Sequence, residues 1–506
     1  MTRRALATLV ATIFALSVCA PASTGGGPQS SPKPKEITVL QSADIKTFDP
    51  SMAFGSHELN VQAHVFDGLA AIDPELNQKE WLATSWKMLT TTTWEVKLRE
   101  NVKFHNGDTM TADDVVESFK YLTREEASAR ANLQGWATVE KVDDKTLKIT
   151  TKAPDIRFFG ELTSMIVMPA RVLRSNPASL ADKPIGTGPY TLTEWAKGER
   201  IVMAANSNYW GAKPKITKVT WKGVPEASAR IAALQAGQAD LVVNVPPESV
   251  TVLSSSANLR VDSVHSLRNI TLIFDARVAP FKDVRVRQAL NYAIDKESII
   301  RNILGGRGAV QATPSYERTP NHNASVKPYP YDPEKAKQLL RDAGYPNGFE
   351  VEFHHPTGRW IKDVEVTQAI AGMLEKVGVK TKLSTGEYTA FFNTWATGAY
   401  KGMTMIGTLN QYDADQVFQL FLYSKGRWGM YVGADPKIDQ LYEAQNTELD
   451  AAKRKQILAE MEQYVSDQAY WAFLYFQDDV FGLNKKLKWR APSNEKIWLW
   501  EADLES

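Results

Sequence analysis

From Glu36 onward, segments that alternate apolar and polar side chains are interleaved with segments whose apolar residues recur every three or four positions. The first pattern predicts half-buried strands and the second amphipathic helices, so the chain reads as α/β. Trp94, Val96 and Leu98 alternate with polar neighbours, as a strand requires. Thr111 then opens a helix: its hydroxyl can cap, Asp114 completes a capping box, and Val115, Phe119 and Leu122 share a face. Asp283 precedes a helix in which Val286, Ala289, Leu290, Ala293 and Ile294 keep helical spacing. Asp295 starts another, with Ile299, Ile300, Ile303 and Leu304 inward and Gly305-Gly306 as the stop. Asp332-Pro333 is an N-cap followed by proline at the first helical position; Ala336, Leu339, Leu340 and Ala343 follow, and Gly344 closes the helix. Val366, Ile370, Met373, Leu374 and Val377 form a further stripe ending at Gly378, directly before an alternating strand, Val379 to Leu383. These stripes predict core. No solenoid-length repeat is visible, and a change of composition at Val264 to Arg268 predicts a crossing between two lobes.

The chain has 506 residues, 43% of them hydrophobic, which suits two or more lobes rather than one unit. Lys and Arg number 59 against 58 Asp and Glu, without long charge runs. That balance argues against nucleic acid or an anionic membrane surface as the main partner. The N-terminus differs from the rest. Arg3 and Arg4 precede an apolar run from Ala5 to Ala20, the pattern of a secretory signal over 1–22. Cleavage after Ala20-Pro21-Ala22 would remove the single cysteine. Leu16-Ser17-Val18-Cys19 instead resembles a bacterial lipobox, which would make Cys19 a lipidated first residue, although Val18 stands where a small residue is usual. Residues 23–35, rich in Ser, Gly and Pro, suit a flexible linker in either case. A disulfide framework is excluded.

Catalytic patterns are missing from the sequence. There is no HExxH and no cysteine pair to hold zinc, so no metal site is expected. His354 and His355 are neighbours on a predicted strand and would point to opposite faces. No G-x-S-x-G elbow occurs. Gly186-Thr187-Gly188-Pro189 is not a phosphate cradle, because Pro189 removes a backbone donor and no Lys-Ser/Thr pair follows. No cofactor is expected.

Four ordered stretches carry a family resemblance. Leu98 to Asp108, continuing through Thr111-Ala112-Asp113-Asp114-Val115, is the first, and Pro184 to Tyr190 the second. Asp283 to Asp295 is the third; Tyr331 to Leu340 with Ala343-Gly344-Tyr345 is the fourth. Together, over roughly 36–480, they resemble the bacterial extracellular solute-binding proteins of family 5, the peptide/nickel/opine group. The resemblance implies a two-lobed periplasmic-binding-protein fold (type II, cluster C-like) with an extra subdomain in lobe I and two hinge strands. Lobe I is expected at 36–264 plus 480–506, with the extra subdomain at 52–170, and lobe II at 265–479. Phe104, Gly107 and Ala289 are expected to be scaffold.

The resemblance also implies a function: a monomeric, non-catalytic receptor, periplasmic or lipid-anchored, that delivers a small ligand to the permease subunits of an ABC importer. A short peptide is the first expectation; an opine, an oligosaccharide or a metal chelate is the alternative. An exported hydrolase and an extracytoplasmic chaperone are the competing classes. In peptide-binding relatives an acidic residue of a second-lobe motif anchors the ligand amine. The matching stretch here, Gly407 to Asp415, places Thr408 where tryptophan is common and Asn410 or Gln411 where the acid is usual. Asn410, Tyr412, Asp413 and Asp415 are the candidates there, with capping of a helix near Gln416 as the alternative role of the two aspartates. Arg359 lies where relatives place a basic or aromatic contact, and its guanidinium could hold a carboxylate bidentately. Arg130, Asn132 and Trp136 follow the Asp113-Asp114 helix on the other lobe. Trp395 and Trp428 are aromatic candidates for stacking.

Overall fold

The computed structural model describes residues 34–53, 55–73, 77–317, 319, 321–409 and 413–505. Its organising elements are two long antiparallel strands, Leu259–Phe274 and Trp471–Asn484, side by side in the middle of one mixed sheet. On one flank the sheet continues through Met403–Leu409, Phe349–Thr357 and Val379–Glu387. On the other it continues through Leu241–Val242, Glu36–Gln41, Lys218–Gly223, Arg200–Ala205 and Tyr190–Ala196. The first long strand is amphipathic up to Ser266 and wholly buried from there to Phe274, as a strand covered on both faces should be. The pairing of the two strands slips between His265 and Asn269, within the stretch where composition changes.

Side chains on the two flanks pack into separate hydrophobic clusters. One is built mainly from residues 270–480, including Phe274, Leu290, Phe353, Leu374, Trp395 and Tyr475. The other gathers Ile37, Phe48, Val96, Leu122, Trp136, Trp221 and the C-terminal Trp498 to Trp500. The second cluster also holds a separate four-stranded antiparallel sheet in the order Ala83–Thr90, Thr93–Leu98, Thr146–Thr151, Trp136–Asp143. The predicted helix starts form as expected. Asp283, Asp295 and Asp332 each accept a backbone N–H of the first turn. Asp114 accepts the Thr111 N–H at 2.7 Å and, with its other oxygen, the Ala170 N–H at 2.7 Å, so one cap also docks the next helix. Val379–Glu387 runs four residues beyond the predicted strand, because it pairs in parallel with all of Phe349–Thr357.

The Gly186-Thr187-Gly188 turn is structural. Gly188 N–H donates to the Val65 carbonyl at 2.9 Å and Tyr190 N–H to the His64 carbonyl at 2.8 Å. A Cβ on Gly186 would sit 2.0 Å from the Val65 oxygen. Gly186→Ala is therefore expected to destabilise the fold by about 1–3 kcal/mol, read as a lower denaturant midpoint. An unchanged midpoint would contradict this packing.

Candidate functional site

Between the two clusters lies a cavity of about 300 Å³. One wall comes from the helix Ser56–Gln62 and the turn Ser128–Asn132; the other from Arg359, Tyr388, Phe392, Gly407–Leu409 and Trp428. Asn494 to Trp500 of the C-terminal segment completes it. The lining is largely apolar and aromatic with a few placed charges, as small-molecule sites are.

The charges concentrate at Arg268, which projects from the long strand one residue before its register shift ends. Its Nε and Nη2 donate to the two oxygens of Glu495, both at 2.6 Å, a bidentate pair. Nη2 also donates to Ser56 Oγ at 2.9 Å, and Nη1 to the Gly407 carbonyl at 3.2 Å. Glu495 occupies a left-handed backbone conformation (φ 60°) in the returning C-terminal segment. Burial opposes its ionisation, but the charges of Arg268 and Arg359 prevail and hold its pKa at about 2. Asp479, on the neighbouring long strand, is pushed the other way, upward, by burial and by the charge of Glu495.

Arg359 is the second guanidinium. Its Nη2 lies 3.6 Å from Glu495 Oε2 and 3.4 Å from Ser56 Oγ, its Nε is buried without a partner, and its guanidinium sits 5.3 Å from the centre of the Tyr388 ring. The loop that carries it is rigid for a local reason. Gly358 takes a positive φ of 76°, and Asp363 accepts the N–H groups of Gly358, Arg359 and Trp360 at 3.2, 2.9 and 3.2 Å. Asn244 holds the Arg359 carbonyl at 3.0 Å. Two guanidiniums thus share one carboxylate, Glu495, at this end of the cavity, and Arg268 takes both of the short contacts. Asp67, also on the wall, is fully committed: it accepts Trp81 Nε1 at 2.6 Å, Trp210 Nε1 at 3.0 Å and Thr187 Oγ1 at 2.7 Å.

Of the residues singled out in the sequence, Arg359, Trp428 and Asn132 reach the wall of this cavity. Arg130 and Trp136 line a separate, wider groove of about 1000 Å³, where Trp136 also stacks on Phe158 at 5.5 Å. Trp395 reaches neither: it is sealed among Phe392, Phe421, Trp428 and Tyr431, with 0% exposure. Asp413 and Asp415 border a small pocket of about 90 Å³ together with Arg157 and Glu161. Neither aspartate caps a helix; the short helix Asp415–Val417 has Ala414 at its cap, without a side-chain bond. Asp413 pairs instead with Arg454, and Asp415 lies 3.7 Å from the same guanidinium. Asn410, Tyr412 and Cys19 lie outside the described residues. Arg268, Ser56, Tyr388 and Glu495 were not anticipated. Arg268 carried a signal, the one charged residue in the Ser266–Phe274 half of its strand; Glu495 carried none.

Among the described residues no group of three or more His, Cys, Asp or Glu could hold a metal ion, and no helix is long and apolar enough to cross a membrane. His354 and His355 separate as expected. His354 stacks on Tyr400, and His355 shares a hydrogen bond with Thr385.

Comparison with known proteins places this geometry in a family. Residues 77–429, which include Arg268, Arg359, Tyr388 and Trp428, match the family model of bacterial extracellular solute-binding proteins, family 5. The chain is 32% identical to heme-binding protein A of Haemophilus influenzae over 346 residues, 61% of this chain and 62% of that protein. It is 31% identical to the glutathione-binding protein GsiB of Escherichia coli over 373 residues, 69% of each chain. The fold superposes on the periplasmic binding protein DppA of Helicobacter pylori in complex with the peptide STSA, with a TM-score of 0.86 and 24% identity over 93% of this chain and 98% of that one. It also superposes on NikZ of Campylobacter jejuni in complex with Ni(L-His), with a TM-score of 0.84 and 25% identity over 92% and 99%. These relatives are binding proteins, and the two-lobed architecture expected from the sequence is the one they share. By the extent of that match and the likeness of the whole fold, this chain belongs to the bacterial extracellular solute-binding proteins of family 5.

Proposed function

We propose that the chain is the extracytoplasmic receptor of an ABC importer, enclosing a small carboxylate-bearing solute, a short peptide in the first instance, between two lobes. Lobe I comprises 36–264 and 480–506, with an extra subdomain at 52–170; lobe II comprises 265–479. The observation that carries the reading is the guanidinium of Arg359, which has only a 3.6 Å share of Glu495 and is buried at the cavity wall with Nε unpartnered. Such a group is costly until an anion meets it, and a carboxylate matches its planar donor pair. Tyr388, Phe392 and Trp428 supply apolar faces for the ligand body. Contacts to both walls exist only when the lobes are closed, so ligand shifts the open–closed population, and the permease recognises the closed form. The receptor needs no cofactor, works as a monomer and releases its ligand unchanged.

An opine or a carboxylate-bearing metal chelate satisfies the same cation; a neutral oligosaccharide does not. Calorimetry with glutathione and with the dipeptide Ala-Phe, each beside its carboxyl-amidated form, separates these cases. The acids are expected to bind at least tenfold more tightly than the amides. Equal binding of acid and amide would remove the carboxylate requirement.

A further inference from the structure

Beside the cavity the two hydrophobic clusters are joined by side chains rather than by sheet. Arg157 precedes the helix Phe158–Ser164, whose Phe158 and Leu162 belong to one cluster. Its Nη1 donates to the Tyr442 hydroxyl at 3.0 Å, and its Nε lies 3.9 Å from Asp415 Oδ2; Tyr442 and the neighbouring Val417 and Phe418 belong to the other cluster. Contacts also run in the opposite direction. Arg427 donates to the carbonyl and hydroxyl of Ser128 at 3.0 and 3.1 Å, and Gln419 Nε2 donates to the Ala131 carbonyl at 3.2 Å. The receiving turn, Ser128–Asn132, is anchored by Leu133 in the first cluster. Arg427 and Ser128 border both the cavity and the wider groove, so this seam is also the partition between them.

We propose that Arg157, Gln419 and Arg427 form a latch that holds the two lobes together through protein contacts alone. A fraction of ligand-free molecules is then already closed, and the latch scales the affinity for every ligand by the same factor, because apparent affinity is intrinsic affinity multiplied by the closed fraction. The inference rests on the closure between lobes described above but not on which solute is bound.

The chemistry of the seam makes the latch sensitive to protons. Around Arg157 the charged and titratable groups facing one another are Asp155 and Glu161 from its own side and Asp413, Asp415, Tyr442 and Arg454 from the other. Four carboxylates meet two guanidiniums. Burial, reinforced by the charge of Asp155, pushes Glu161 up to about 8, and one of its oxygens has no partner. Burial, reinforced by Asp413, pushes Asp415 up to about 6. Opening would expose both to water and return them toward the ordinary carboxylate range near 4. The closed form therefore binds more protons across that interval, and closure is favoured as pH falls from about 8 toward 5.

The test uses the full chain with Cys19→Ala and spin labels on Val142→Cys and Glu375→Cys, both exposed and one on each lobe. Distances are measured by pulsed electron paramagnetic resonance without ligand. The expected result is a short-distance population in the parent that grows between pH 8 and pH 5.5. Tyr442→Phe and Arg427→Gln should each reduce it at least threefold. The two variants act on different elements, and Tyr442→Phe removes only an oxygen, so a folding defect in one leaves the other informative. A parent with the long distance alone, or variants that match the parent, would overturn the latch. A population that does not change with pH would overturn its proton dependence. Loss of the carboxylate preference in the calorimetry would leave these outcomes untouched.

Discussion

Arg268→Met is expected to lower the stability of the folded chain by about 3–5 kcal/mol, the cost of leaving a buried carboxylate without its partner. Glu495 is enclosed and ionised, and Arg268 supplies both of its close hydrogen bonds; Arg359 stands 3.6 Å away and cannot replace them. The same substitution removes the Arg268 bonds to Ser56 Oγ and to the Gly407 carbonyl at the cavity wall. Pairing it with Glu495→Gln should recover much of the loss, because the uncompensated charge disappears. The pH dependence follows from the sign of the shift. Glu495 is depressed to about 2, so its contribution is complete above the ordinary carboxylate range near 4 and is lost as pH falls toward 2. Denaturant midpoints of the parent and both variants from pH 7 to pH 3 measure this. A single variant as stable as the parent would show that the pair does not hold the C-terminal segment to the hinge strand.

The second large effect falls on binding. Arg359→Gln should weaken the affinity for a carboxylate-bearing ligand by about 2–3 kcal/mol, roughly 30- to 150-fold, the range for a truncated charge-assisted contact. Stability should barely change, because Glu495 keeps its two bonds to Arg268. The amidated ligand should bind parent and variant alike. Titration calorimetry beside thermal melts separates the two readouts. If the variant lost stability without losing selectivity for the acid, Arg359 would be a structural counter-ion and the ligand's anion would have to be placed elsewhere.

The helices of the second half were legible because periodicity, cap and stop agree at each one: Asp283, Asp295 and Asp332 cap, and Gly344 and Gly378 take positive φ at the ends. The Gly-Thr-Gly turn was legible through Pro189, which rules out an anion cradle. The site was harder to read, since it is made by tertiary closure. Arg359 was found through its place in a family pattern. Glu495 approaches it from 136 positions away in a C-terminal segment without periodicity, and Ser56 comes from near the N-terminal end of the sheet. Trp395 illustrates the opposite error: an aromatic residue in the right lobe reads the same whether it faces a ligand or, as here, a ring of other aromatics. Asp413 and Asp415 looked like a cap or an amine anchor because the arginines that face them, Arg157 and Arg454, lie far away in sequence.

A receptor of this kind must close on what it carries. The most direct measurement is to purify the chain, recover any small molecule that accompanies it, identify that molecule by mass spectrometry, and follow small-angle scattering as it is returned to stripped protein. The expected result is a saturable decrease in the radius of gyration, with the molecule recovered chemically intact and bearing a carboxylate. A radius that stays constant through saturation, or a molecule returned cleaved, would contradict a solute receptor that works by closure.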